Sequence, residues 1–372
     1  MGQIGTNKRV LSVDIFRGIT IAAMILVNNP GTWGAIYPPF EHAKWHGLTP
    51  TDLIFPFFLF IVGMSITFAY TKKKEHGISV DVYKKIFSRT FKLIGLGLVL
   101  AGFLLSPPFF KDLSTLRFPG VLQRIGIVFF ISSFLFLYLN WKSLLAIFVF
   151  ILIGYWYIMI RIPIGGELPL LTKENNWATI IDQKILTLDH MWKIYDPEGL
   201  LSTVPAIATT VFGMFLGMIL LDKNKSEQQK LGLFVIIGVV ALVVGYVWGM
   251  YFPLNKALWT SSYVLVTGGW ASLIYALIYF VADVLGYSNW GKPAIIFGSN
   301  AITVFFMSGI VARIFGMIKL SNGKSIHGNL YEILSSVISI PKLSSLIYAI
   351  FVIIFYYFVA LVMYRKNIFI KV

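Results

Sequence analysis

The feature that most constrains this chain is a recurrence of apolar stretches, each about twenty residues long and so able to cross the hydrocarbon core of a bilayer as one helix. They fall at roughly 10–29, 52–71, 86–106, 120–139, 143–160, 202–221, 231–251, 259–283, 293–316 and 345–364. Inside lipid every backbone N–H and C=O must be paired within its own segment. The pattern therefore predicts an all-α polytopic membrane protein with about ten transmembrane helices. Composition agrees, because 57% of the 372 residues are hydrophobic and only 13% are charged, far from a soluble domain of this length. We expect one integral-membrane domain over 1–372. The segments 161–201 and 257–286 are each long enough to hide a short interfacial helix.

The net charge of +15 is spread over short connections. Lys8 and Arg9, then Lys72, Lys73, Lys74, Lys84 and Lys85, then Lys142, then Lys223, Lys225 and Lys230, and finally Arg365, Lys366 and Lys371 share one face if there are ten spans. The positive-inside rule makes that face, with both termini, cytoplasmic. The opposite face receives 30–51, 107–119, 161–201 and 317–344. Basic residues distributed in this way orient a membrane protein, and no nucleic-acid partner is expected. With no cysteine there are no disulfides, thiolate nucleophiles or cysteine metal sites. The N-terminal MGQIGTNKRV is basic, but the following apolar run contains Asp14 and Arg17 and lacks a small-residue cleavage site, so it reads as the first span. No internal repeat is evident, nor the paired broken half-helices of inverted-repeat transporters.

Ionisable residues inside apolar segments are costly and mark candidate sites. The stretch SVDIFRGITIAAMILVNNPGTWGAIYPPFEHAKWHGLTPTDLIFPFFLFIVG, from Ser12 to Gly63, holds Asp14, Arg17, Asn28, Asn29, His42, His46 and Asp52. With the predicted topology, Asn28 closes the first helix at the outer surface, His42 lies in the outer loop and Asp52 begins the second helix. In RFPGVLQRIG, Gln123 and Arg124 sit about one turn inside the outer boundary. The segment LTLDHMWKIYDPEGLLST brings His190, Asp196 and Glu198 to the same level. Plainer roles stand beside these. His42 and Trp45 also suit the headgroup level, and Asp52 suits a helix start. Arg124 has Asp196 or Glu198 as structural partners, and Asp14 and Arg17 can pair on one helix face.

Taken together, SVDIFRG with VNNPG, the FEHAKWHGLTPTDLIFPFFLFIVG block, RFPGVLQRIG, DHMWKIYDPEGLLST, PLNKALWTSSYV and FGSNAI resemble the heparan-alpha-glucosaminide N-acetyltransferase family, in its bacterial branch. The resemblance runs in order over nearly the whole chain. It implies transfer of acetyl from cytoplasmic acetyl-CoA, a co-substrate, to the amino group of a terminal glucosamine across the membrane, with no metal. It carries the active-site histidine over to His42 and the asparagine closing the first catalytic helix to Asn28. A more distant likeness is to acyltransferases in which ten residues separate an arginine from a histidine. Here Arg17 is followed at that spacing by Asn28, which favours N- over O-acylation.

On that basis the expected catalytic set is His42, Asn28 and Asp52. His42 acts as general base or as acyl acceptor, Asn28 as oxyanion donor, and Asp52 orients His42 or holds the substrate ammonium. Arg17, Asp14, Gln123, Arg124 and Asn300 are expected on the acetyl-CoA side, together with inner-loop lysines for its phosphates. Trp45, His190, Asp196 and Glu198 are candidate sugar contacts. The remaining expectations are membrane lipids as partners, a bacterial inner membrane as location, and a homodimer left open. O-acylation of an envelope polysaccharide and amino-sugar transport without chemistry are the alternatives.

Overall fold

The computed structural model describes residues 10–370, so Lys8, Arg9 and Lys371 lie outside the described residues. Thirteen α-helices follow in order: α1 (Leu11–Asn28), α2 (Pro50–His76), α3 (Val80–Gly102), α4 (Val121–Tyr138), α5 (Trp141–Arg161), α6 (Trp177–Leu186), α7 (Leu200–Leu221), α8 (Glu227–Gly249), α9 (Ser261–Tyr279), α10 (Lys292–Ser299), α11 (Ala301–Met317), α12 (Ile326–Val337) and α13 (Pro341–Arg365). Among the described residues, eight helices are long and apolar enough to cross a membrane, and α10 with α11 makes a ninth if that bent pair counts as one span. The predicted third span, α3, is long enough at 23 residues. It is not among the eight, and it carries Lys84, Lys85, Arg89 and Lys92 along its first half.

Two other expectations need correction. The predicted single helix over 293–316 is bent by 67° at Asn300. The Asn300 side chain is engaged outside the helix, its Nδ2 donating to Ile368 O (2.9 Å) and its Oδ1 accepting from Ile370 N (2.9 Å). The connection 317–344 also contains a helix, α12, whose N-terminus is capped by Ser325. The long 161–201 connection does hold a short helix, α6.

The centre of the bundle is α2 against α7, the most buried of the spans. Small residues permit this approach: a Cβ on Gly63 would fall 1.9 Å from Thr210 O, and one on Gly213 would fall 1.9 Å from Phe60 O. Backbones this close are the usual solution where lipid offers no hydrophobic drive to bring helices together. By contrast, α5, α8 and α13 turn most of their apolar surface outward, as lipid-facing helices do.

Contacts between helix ends sort the connections into two sets. The α1–α2 connection with His42 meets the loops before α4, α7 and α9 at one end of the bundle, called here the His42 end. At the other end, Leu11 N and Ser12 N donate to the Asp283 carboxylate just after α9, and Asn300 binds the segment after α13. Tyr83 at the start of α3 meets Tyr138 at the end of α4 there. Both ends of the described chain therefore lie at this second, Lys84 end.

Candidate active site

The site at the His42 end is built on the first turn of α2. Asp52 is 1% exposed, and its Oδ2 accepts from Thr49 N (3.1 Å) and Ala43 N (3.1 Å). These bonds fasten the loop to the helix N-terminus, where a carboxylate is favoured by the unpaired N–H groups. The other oxygen, Oδ1, lies 2.7 Å from His42 Nδ1. An ionised carboxylate only accepts, so Nδ1 carries the proton, and in the neutral ring the lone pair is then on Nε2. Tyr263 on α9 donates its hydroxyl to Asp52 O (2.5 Å), holding the backbone from the other side. His42 itself is half exposed and open to a substrate.

Sequence reasoning missed a third member. Lys256, between α8 and α9, places Nζ 3.1 Å from His42 Nδ1, 3.2 Å from Nε2 and 3.9 Å from Asp52 Oδ1. Burial lowers the pKa of its ammonium, the Asp52 and Glu198 carboxylates offset this in part, and Arg124 adds to the lowering. The motif PLNKALWTSSYV contains Lys256, but nothing local to it points at His42.

The other candidates at the His42 end form a frame around this pair. Arg117, and not Arg124, pairs with the two carboxylates. Its Nε and Nη2 reach Asp196 at 2.8 and 2.6 Å, and Nη2 reaches Glu198 at 2.6 Å. Burial alone would lower the Arg117 pKa, but the two carboxylates outweigh it and raise it. Arg124 is fully buried, donates to Gly199 O (3.0 Å) and Ser202 Oγ (2.5 Å), and lies over the Trp259 ring. The expected Arg124 ion pair is thus corrected. Pro119–Gly120 separates the two arginines, so only Arg117 is on the loop that faces Asp196.

Gln123 is buried against Gly97 and Gly120 at this end as well. His190 donates from Nδ1 to Leu116 O (2.8 Å) and stacks on Phe118 with ring centroids 4.1 Å apart, a loop-bracing role. Trp45 donates to Leu171 O (2.7 Å) and meets the edge of Tyr195. His46 lies 3.4 Å from Asn255, and burial lowers its pKa. Asp182 on α6 accepts from Leu200 N (2.7 Å) at the start of α7, and burial raises its pKa to about 6.

Asn28 is exposed and lines a different cavity of about 710 Å3, with Asn29, Trp33, Ser308, His327 and Tyr348. At the Lys84 end, a third group of residues lines a cavity of about 760 Å3: Arg17, Ser65, Lys73, Lys84, Lys85, Arg89, Lys92 and Asn300 among them. Arg17 bonds Asp14 (3.2 Å), the local pair expected from their spacing, and donates to Ser65 Oγ (3.0 Å). Arg89 is stacked over Phe129 with its Nε left without a hydrogen-bond partner. Of the predicted acetyl-CoA contacts, Arg17 and Asn300 thus line this basic cavity, whereas Gln123 and Arg124 lie at the opposite end. Lys84, Lys85, Arg89 and Lys92 were not singled out together, because their convergence with Arg17 requires α3, which packs on α4 and α11, to face α1 and α2 across the cavity.

A protein-family profile described as "Heparan-alpha-glucosaminide N-acetyltransferase, catalytic" matches residues 9–251. The heparan-alpha-glucosaminide N-acetyltransferase of Homo sapiens is 31% identical over 356 residues, covering 80% of this chain and 52% of the relative. That of Mus musculus is 28% identical over 355 residues, covering 80% and 53%. The chain spans about half the length of these curated relatives. On this match, which contains His42, Asp52, Arg117 and the first helix of the basic cavity, the chain belongs to the heparan-alpha-glucosaminide N-acetyltransferase family.

Proposed function

We propose that this chain is a transmembrane N-acetyltransferase that moves acetyl from cytoplasmic acetyl-CoA to the amino group of a glucosamine-type sugar at the His42 end. The observation that carries this reading is the pairing of two sites along one helix. Arg17 of α1 lines the basic cavity and Asn28 closes the same helix beside the outer cavity. Ten residues of helix lie between them, roughly 16 Å of rise over eleven steps. Helix α11 borders the same two cavities, with Ala301 and Ile302 at one and Ser308 and Val311 at the other. An elongated donor with an anionic head suits that arrangement.

The residues fit such a head. Several cations and a half-buried Arg89 whose Nε is unpartnered converge on the cavity, and guanidinium groups there can receive phosphate oxygens. At the far end, the sugar ammonium must lose a proton before its nitrogen attacks the thioester carbonyl. His42 Nε2 takes that proton and Asp52 holds the ring in the tautomer that can do so; a role for the Asn28 amide as donor to the developing oxyanion requires the thioester to reach from the cavity that Asn28 lines to His42. The C–S bond then breaks, the nitrogen gives up a second proton as it becomes the amide, the sulfur takes one so that CoA leaves as the thiol, and His42 releases the other to solvent. A bacterial inner membrane, with the Lys84 end facing the cytoplasm, suits the basic connections gathered there.

The test is purified protein in detergent given acetyl-CoA and glucosamine. Release of free CoA thiol with an amide-acetylated sugar, abolished in a folded His42→Ala variant, is the expected result. Ester product, or no thiol release from the wild-type protein, would overturn the proposal.

A further inference from the structure

Lys256 lies beyond the residues matched by the family profile, and its backbone is fixed. The fully buried Asn255 accepts from Leu258 N (2.9 Å) and donates from its own N–H to Thr260 Oγ1 (3.1 Å), while Trp259 N donates to Lys256 O (3.2 Å). The lysine side chain therefore leaves a rigid turn and ends at His42. Near-equal distances of 3.1 and 3.2 Å to the two ring nitrogens put the ammonium over the face of the imidazole, because in the ring plane it would overlap Cε1. A cation over the face is attracted by a neutral ring and repelled by an imidazolium.

The other charged groups around His42 act in both directions. Asp52, from α2, draws the ring towards imidazolium through its bond to Nδ1. Asp196 and Glu198, from the approach to α7, are paired with Arg117. Arg124 enters from α4, Tyr263 from α9, and Glu41, Lys44 and His46 share the loop of His42. Of the cations, Lys256 is the one that touches the ring among the described residues.

We propose that Lys256 is a positioning residue that holds His42 uncharged, with the in-plane lone pair on Nε2 open to the proton of the acceptor ammonium. The inference rests on the N-acetyltransferase reading above. Without this cation the buried carboxylate acts on the ring alone, and an imidazolium cannot take up a proton.

The test reads His42 directly, as the rate of its modification by diethyl pyrocarbonate from about pH 5 to about pH 9, a range that brackets ordinary imidazole titration. Peptide mass spectrometry on intact protein in detergent locates the adduct, alongside the acid limb of kcat/KM for acetyl-CoA and glucosamine. Lys256→Met is expected to move both midpoints upward by about one pH unit or more, as loss of a contacting like charge does. Lys256→Arg, which keeps the charge and cannot act as a base, is expected to leave both near the wild-type values. An unmoved midpoint in Lys256→Met would overturn the proposal, as would a shift in Lys256→Arg equal to that in Lys256→Met. If the Met variant does not fold, Lys256→Gln is read in the same way. If wild-type protein consumes no acetyl-CoA while the His42 midpoint still moves, the acetyltransferase reading fails and the coupling between the two residues stands.

Discussion

Replacing Asp52 by asparagine separates its two roles. In the wild-type protein Oδ2 accepts from Ala43 N and Thr49 N, and Oδ1 faces His42 Nδ1. An asparagine has one oxygen to place. Turning its NH2 towards the two backbone donors would leave both unsatisfied in a site that is 1% exposed, at about 1–3 kcal/mol each. The oxygen therefore stays with the backbone and the NH2 faces His42. Nδ1 must then accept, Nε2 carries the proton, and the base is lost. General-base contributions of this kind are roughly 10²–10⁴-fold in rate, and the same carboxylate-to-amide change in a Ser-His-Asp triad lies at the upper end. Stability should change far less, because the backbone bonds survive and only a carboxylate at the α2 N-terminus is lost, about 0.3–1 kcal/mol. The assay pairs kcat from thiol release with a thermal midpoint by fluorimetry. Asp52→Asn protein that keeps more than a tenth of wild-type turnover while losing stability would refute the reasoning and leave Asp52 as a helix-start residue.

Three further outcomes are expected. Arg117→Ala strands the buried Asp196 together with Glu198 and should cost about 3 kcal/mol, read as a lowered thermal midpoint, whereas an unchanged midpoint would remove the ion-pair frame. Asp182 has its folded value raised from 3.8 to about 6. The folded state therefore holds its proton more tightly, and this contribution to stability is full below about pH 4 and lost as pH rises through about 6. Asp182→Asn keeps the bond from Leu200 N and should be more stable than wild type at about pH 8, by about 3 kcal/mol, but not at about pH 4; equal gains at both would exclude titration as the cause. Asn28→Ala should lower kcat roughly 10²-fold with little change in KM if its amide serves the oxyanion. An effect confined to KM would make Asn28 a binding residue.

The His42–Asp52 pair was legible because both residues fall in one short block, where a loop returning to a helix start leaves little freedom. The local Asp14–Arg17 pair was legible for the same reason, being set by helix periodicity. Lys256 and Arg117 were not, because their partners are distant in sequence and only the packing of α4, α7 and α9 joins them. Two arginines in RFPGVLQRIG look equivalent on paper, and the break at Pro119–Gly120 sends one to the loop and the other into the bundle. The ten apolar segments all become helical, but apolar length does not reveal a bend. The span bends at Asn300, whose side chain bonds the chain after α13, a contact that no pattern within 293–316 encodes.

The central claim is that donor and acceptor occupy opposite ends of the bundle. Oriented proteoliposomes test it, with the Lys84 end marked by a label on Lys142→Cys protein, at an exposed position just after α4 and outside the basic cavity, in a background free of other thiols. Acetyl-CoA supplied only at the Lys84 end, with glucosamine only at the His42 end, should yield N-acetylglucosamine in the glucosamine compartment and CoA in the other. Product formed only when both substrates share one compartment would contradict it.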